Sequence, residues 1–197
     1  GAEDVFSDVS DAERVGTVLG VLRHLAVADG IACPGAVPDG GPGRDPSQGL
    51  VGQGLGIGRA DRDAGWSHSG EQLLLALGRG VTLGVDLERL RPRPRALELA
   101  DRFFAPGEAG RLQALAPERR ELAFLRLWCA KEAVLKAHGQ GLSFGLHRLE
   151  FIPDGDDEHA PLRLLASDPE LGAASDWQLH EWIPAPGYLA ALGWHPR

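Results

Sequence analysis

The stretch from Leu122 to Lys136 constrains the fold more than any other part of the chain. Leu122, Phe124, Leu125, Leu127, Trp128, Val134 and Leu135 fall almost all round a helical wheel, and a helix that is apolar on every side has to be wrapped by protein. It nevertheless carries Lys131, Glu132 and Lys136. Glu132 and Lys136 stand four apart and share a face, whereas Lys131 points about a quarter-turn away. Buried charge is costly unless it is paired or holds a ligand. Lys131 and Lys136 are also the only lysines among 20 Lys plus Arg residues. The chain thus reserves its compact ammonium groups, which suit a phosphate oxygen or a shifted pKa, for this one helix. An exposed Glu–Lys pair on a core helix is the plainer alternative.

The flanking pattern predicts the remaining elements. Ser10 as N-cap, Glu13 three residues on, and Val15, Val18, Leu19, Leu22, Leu25 and Ala26 at helical spacing predict a first helix over residues 10–28. Residues 30–58 are dense in Gly and Pro and read as a long loop with one short strand near 50–55. Residues 72–77 and 81–87 are apolar runs joined through Gly78-Arg79-Gly80, which predicts a hairpin. Arg89-Leu90-Arg91-Pro92-Arg93-Pro94-Arg95 cannot be helical and marks a boundary. Helices are expected over 96–104, 106–115 and 117–138, with Pro106 and Pro117 in first turns and Gly139-Gln140-Gly141 as a stop. Strands are expected near 143–152, 162–166, 177–183 and 188–194. The chain therefore divides into residues 1–90 and 91–197, each half opening with helix and closing with strands, although no residue-level repeat is visible.

Composition narrows the function classes. A hydrophobic content of 43%, a charged content of 24% and a net charge of −8 describe a soluble globular chain without the basic field that nucleic-acid binding needs. No apolar run reaches membrane-spanning length and no secretory leader precedes the first helix, so neither nucleic acid nor membrane is expected as a partner. Two cysteines, Cys33 and Cys129, give no disulfide framework, and the expected compartment is the cytoplasm.

In Gly84-Val85-Asp86-Leu87-Glu88, strand geometry puts Asp86 and Glu88 on one face. Like charges about 7 Å apart repel unless a cation lies between them. Oxygen-only ligands suit Mg²⁺, and Glu132 could supply a third carboxylate from a helix packed across the strand. A solvated face of an edge strand is the alternative. Ser67-His68-Ser69 lies in a Gly-flanked turn whose hydroxyls, imidazole and N–H groups could receive a phosphate. Arg89, Arg91, Arg93 and Arg95 form the basic spot of an acidic chain, either a linker or a landing site for an acidic partner.

Together, Trp66-Ser67-His68-Ser69-Gly70, Gly84-Val85-Asp86-Leu87-Glu88, Arg102-Phe103-Phe104 with Glu108, Trp128-x-x-Lys131-Glu132-Ala133-x-x-Lys136 and Gly139-x-Gly141-Leu142-Ser143 resemble the 4′-phosphopantetheinyl transferase superfamily, in its larger monomeric (Sfp-type) branch. The resemblance implies an α+β fold of two pseudo-duplicated halves, each a helix packed on a small sheet, with coenzyme A in the cleft between them. It implies transfer of phosphopantetheine from coenzyme A to a serine of an apo acyl or peptidyl carrier protein, with release of 3′,5′-ADP. Asp86, Glu88 and Glu132 match the family's Mg²⁺ ligands, Glu132 also being placed to help deprotonate the serine. Lys136 matches the lysine on the pyrophosphate, and Ser67 and His68 match phosphate contacts. Lys131 is expected beside them, and Arg14 on the first helix near the 3′-phosphate. A carrier-binding relative without strong catalysis and a metal-dependent phosphohydrolase are the rival readings.

Overall fold

The structure, a computed structural model, describes residues 62–70, 72–155 and 160–197. The expected first helix with Arg14, the long loop and its short strand lie outside the described residues. What is described is an α+β arrangement. Seven strands, β1 (Arg62–Ser69), β2 (Gln72–Arg79), β3 (Val81–Arg89), β4 (Leu149–Pro153), β5 (Leu162–Ser167), β6 (Gln178–Trp182) and β7 (Tyr188–Pro196), accompany helices α1 (Ala96–Phe103), α2 (Pro106–Ala114) and α3 (Pro117–His138).

The three helices match their expected limits because their punctuation is local. Pro106 and Pro117 sit in the first turns, and Gly139 ends α3 in the left-handed region at φ 89°, its N–H reaching the Leu135 and Lys136 carbonyls. The strands diverge more from the pattern. The hairpin partner of β2 is β1, in antiparallel register from Arg62 opposite Arg79 to Ser69 opposite Gln72. The expected pairing of residues 72–77 with 81–87 is therefore corrected. β3 instead pairs along its length with β7, and β6 completes the sheet in the order β3-β7-β6. The strand before the expected boundary at residue 90 and the last strand of the chain thus form one ladder. The strand expected from residue 143 is shortened, because Gly141 and Gly145 take positive φ values of 56° and 100°, and two short 3₁₀ turns precede β4.

The all-round apolar character of α3 has a direct cause. Phe124, Leu127, Ala130, Val134 and Leu135 enter one core with α1, α2, β4 and β5. Leu125, Cys129 and Ala133 enter another with Leu189 and Ala191 of β7. The opposite face of the sheet, with Leu83, Val85 and Leu87, packs on Leu74 and Ala76 of β2.

The approach of α3 to this sheet is set by two glycines that face each other across the β3–β7 ladder, Gly84 and Gly193. A Cβ on Gly84 would run into the backbone of Ala133 and Ala137, and one on Gly193 would lie 3.0 Å from a Val134 methyl. With no side chain at this crossing the helix backbone rests on the sheet backbone. That contact brings the end of α3 over Asp86.

Candidate active site

β3 carries its functional groups because it alternates. Leu83, Val85 and Leu87 go to the core under the sheet, so Gly84, Asp86 and Glu88 share the face under α3. β1 lies alongside the other edge of β3 and is joined to it by side chains. The N–H groups of Leu83, Leu87 and Arg89 donate to Asp63 Oδ2, Ser67 Oγ and Ser69 Oγ at 2.9, 3.1 and 3.0 Å. The segment expected to be a turn is therefore a strand whose hydroxyls are occupied on its neighbour.

Between β1 and α3 opens a cleft of about 640 Å³ lined by Ser67, His68, Asp86, Glu88, Glu132 and Lys136. Gly65 and Gly84 also line it, as do Trp128, Gly139 and Gly141. Trp128 had a place in the sequence motif but no role; here it is wedged against Phe104 and Phe124, at ring separations of 6.4 and 5.9 Å.

Lys136 does not pair with Glu132, as an exposed pair four residues apart would. Its Nζ reaches across to β3 and donates to Asp86 Oδ1 at 2.7 Å, Ser67 Oγ at 3.0 Å and the Val85 carbonyl at 3.3 Å. Ser67 Oγ in turn donates to Asp86 Oδ1 at 3.0 Å. The other oxygen of that carboxylate, Oδ2, is buried with no hydrogen-bond partner. Glu88 accepts from Arg93 Nη2 at 2.9 Å. Burial, then the charge of Asp86, raises its pKa above the ordinary range against the opposing pull of Arg93. Glu132 is pushed up to about 7, first by burial and then by Asp86, with Lys136 opposing. Beneath them Cys129 is fully buried, and desolvation followed by Asp86 holds its thiol well above its usual value.

These residues suit a hard divalent cation in chemistry. All the donors are oxygens, one buried carboxylate oxygen is unsatisfied, and burial, with the neighbouring charge of Asp86 second, raises two of the three carboxyls. Among the described residues, however, no three His, Cys, Asp or Glu side chains are already gathered into a metal cage.

Lys131 is a correction. Expected beside coenzyme A, it is 0% exposed and does not line the cleft. Its Nζ is 2.7 Å from Glu108 Oε2, donates to the carbonyls of Leu146 and Leu149, and lies 5.1 Å from the Phe104 ring centroid. Glu108, also 0% exposed, accepts from the N–H groups of Ala105 and Phe151. The pair fastens α2 and α3 to β4 and to the turn before it. About a quarter-turn from Glu132 on the helix, it faces this other wall.

The arginine run is divided. Arg93 is taken up by Glu88, and Arg95 is clamped by Glu98 through contacts of 2.8 and 2.6 Å. Arg89 and Arg91 are exposed and make no ion pair among the described residues. Ser67 lies at the centre of the site and His68 on its exposed rim, stacked at 6.0 Å on Trp66.

Comparison with known proteins agrees with this geometry. A putative 4′-phosphopantetheinyl transferase of Synechocystis sp. is 42% identical over 113 residues, 57% of this chain and 43% of that protein. The 4′-phosphopantetheinyl transferase HetI of Nostoc sp. is 36% identical over 137 residues, 66% of this chain and 53% of HetI. A 4′-phosphopantetheinyl transferase of Bacillus subtilis is 35% identical over 98 residues, 50% of this chain and 42% of that protein. The chain thus spans about half the length of the curated relatives it matches. The profile of the family described as the 4′-phosphopantetheinyl transferase superfamily matches residues 82–191, from the start of β3 into β7. With both strand carboxylates, Glu132 and Lys136 inside that match, the chain belongs to the 4′-phosphopantetheinyl transferase superfamily.

Proposed function

We propose that this chain transfers the 4′-phosphopantetheine group of coenzyme A to a serine of an apo acyl or peptidyl carrier protein, giving holo carrier and 3′,5′-ADP. The observation that carries the reading is the convergence of Lys136, Ser67 and the carboxylates of Asp86, Glu88 and Glu132 on one cleft in a member of this family. Asp86, Glu88 and Glu132 would hold Mg²⁺, which when bound neutralises pyrophosphate charge. In the reaction the serine Oγ forms a bond to the phosphorus that carries pantetheine. The bridging P–O bond breaks, and 3′,5′-ADP leaves with that oxygen. Lys136 would supply an ammonium to the non-bridging oxygens on which charge builds. Ser67 and His68 lie on the β1 wall of the cleft, where they would orient the phosphates. Glu132, the one of the three carboxylates with no ion pair among the described residues, would accept the serine proton. The exposed Arg89 and Arg91 would meet the acidic surface of a carrier.

The test is a purified-protein reaction with coenzyme A, an apo acyl carrier protein and Mg²⁺, read by intact mass of the carrier. The carrier should gain one phosphopantetheine, and excess chelator should stop the reaction. Consumption of coenzyme A with free phosphopantetheine released and no carrier product would make the chain a phosphohydrolase. Carrier binding without modification would make it a binding module. Modification undiminished by chelator would remove the metal from the mechanism.

A further inference from the structure

Both strand carboxylates of the cleft already hold a cation supplied by the chain itself. Asp86 Oδ1 receives the Lys136 ammonium at 2.7 Å, and Glu88 Oε2 receives the Arg93 guanidinium at 2.9 Å. Neither cation is firmly committed elsewhere. Lys136 Nζ has two weaker acceptors, at 3.0 and 3.3 Å, and its side chain is 34% exposed. Arg93 Nε is buried without a partner, so Glu88 is the side chain that holds this guanidinium.

Asp86 has one unpartnered oxygen, Oδ2, but its other oxygen is 2.7 Å from the Lys136 ammonium, so a divalent ion taken up by either oxygen shares the carboxylate with that ammonium. Two cations on one carboxylate repel strongly in a part-buried site. The same holds for Glu88 and Arg93. We infer that Lys136 and Arg93 are internal counter-ions of the carboxylate set, which a divalent ion binding Asp86 and Glu88 must displace, so that loading the site is an exchange of cations. The inference rests on the proposed reading of these carboxylates as metal ligands and adds what sets their affinity. The exchange also does work. The displaced ammonium is delivered to the part of the cleft where phosphate binds, and the displaced guanidinium joins the exposed Arg91. Glu132, which carries no ion pair among the described residues, can receive the incoming ion without losing a partner.

The test uses Mn²⁺ alone, with no coenzyme A and no carrier, its free concentration read by electron paramagnetic resonance. Wild type is compared with Lys136→Met, Arg93→Met, the charge-keeping Lys136→Arg and Arg93→Lys, and Arg91→Gln. Arg91 acts on Glu88 through space but forms no ion pair with it. Displacement predicts about tenfold lower Kd for Lys136→Met and for Arg93→Met, the scale of one charge-assisted hydrogen bond in part-buried surroundings. Arg91→Gln and the charge-keeping variants should bind within about twofold of wild type. Equal tightening in Arg91→Gln and Lys136→Met would reduce the effect to general charge and overturn the exchange. Unchanged affinity in both Met variants, with native melting transitions, would overturn it as well. Tightening in the charge-keeping variants would do the same, since these preserve fold and cation. If neither wild type nor any variant binds Mn²⁺, the metal reading of the carboxylates falls instead.

Discussion

Replacing Lys131 by Met asks whether its buried ammonium is a fastener or a substrate contact. The substitution keeps the length and bulk of the side chain. It strips Glu108 of its ion-pair partner and leaves the Leu146 and Leu149 carbonyls without the donor they share. Removing one member of a buried pair costs about 3–5 kcal/mol. In a chain of this size about 1 kcal/mol moves Tm by roughly 2–4 °C, so the expected fall is about 6–20 °C. The pH dependence follows from Glu108. Burial holds its carboxyl above the ordinary range while Lys131 pulls it down, so without Lys131 it rises further. A folded-state pKa above the unfolded value gives stability that is fully present below the unfolded pKa and is lost as pH rises through the folded pKa. The variant should therefore regain stability as pH falls from the alkaline side through the raised carboxyl pKa and Glu108 takes up a proton. Adding Glu108→Gln should recover much of the loss at high pH and remove this site's pH dependence. Thermal melts across pH, with KM for coenzyme A measured in parallel, decide the matter. A Lys131→Met protein that melts like wild type but binds coenzyme A poorly would refute the fastener and restore the ligand contact.

With no metal bound, burial pushes the Glu132 carboxyl up to about 7. Its raised pKa contributes stability that is fully present below the ordinary carboxylate range and fades as pH rises through about 7, so Glu132→Gln should flatten the Tm–pH profile between about 5 and 8. A profile unchanged by the substitution would contradict the shift. Gly84→Ala puts a Cβ into the backbone of Ala133 and Ala137 and 3.0 Å from the Lys136 carbonyl carbon. It should cost roughly 1–3 kcal/mol and lower carrier modification about 10²-fold by lifting α3. Gly110→Ala, with nothing near its Cβ, should be neutral or stabilising by up to about 1 kcal/mol, and wild-type behaviour in both would dismiss the close approach. Arg91→Ala should raise KM for an acidic carrier several-fold and leave that for coenzyme A alone, as should added salt. Equal effects on both substrates would assign Arg91 to phosphate.

The helices were legible because their limits are written locally, in Pro106, Pro117 and Gly139. The candidate site was legible in kind, since carboxylates on one strand face and charges on an apolar helix both have to be accounted for. Partnership was not legible. Gly78-Arg79-Gly80 has the composition of a hairpin turn, yet β3 pairs with a strand at the far end of the chain, and no local pattern encodes so distant a ladder. β1 was missed because Ser67, His68 and Ser69 break the expected alternation; two of them are polar for the sake of the neighbouring strand's N–H groups. Lys131 was misplaced because residue type announces a buried charge but not the wall it faces. The plainer alternative would pair Lys136 with Glu132 four residues away, whereas the crossing at Gly84 brings Asp86 within its reach.

The junction of β1 with β3 has a meaning of its own. A backbone ladder is indifferent to sequence, since any residue other than proline can extend it. The junction along this edge of β3 is stitched by Asp63, Ser67 and Ser69, each twenty positions ahead of the amide it receives. Alignment of the wall that faces phosphate with the strand that carries the acids is therefore written in three side chains and can be rewritten by exchanging them. At the middle stitch Ser67 spends a lone pair on Leu87 and its hydrogen on Asp86. The same atom that keeps the two strands in step also orients the carboxylate, so tailoring and chemistry are inherited together.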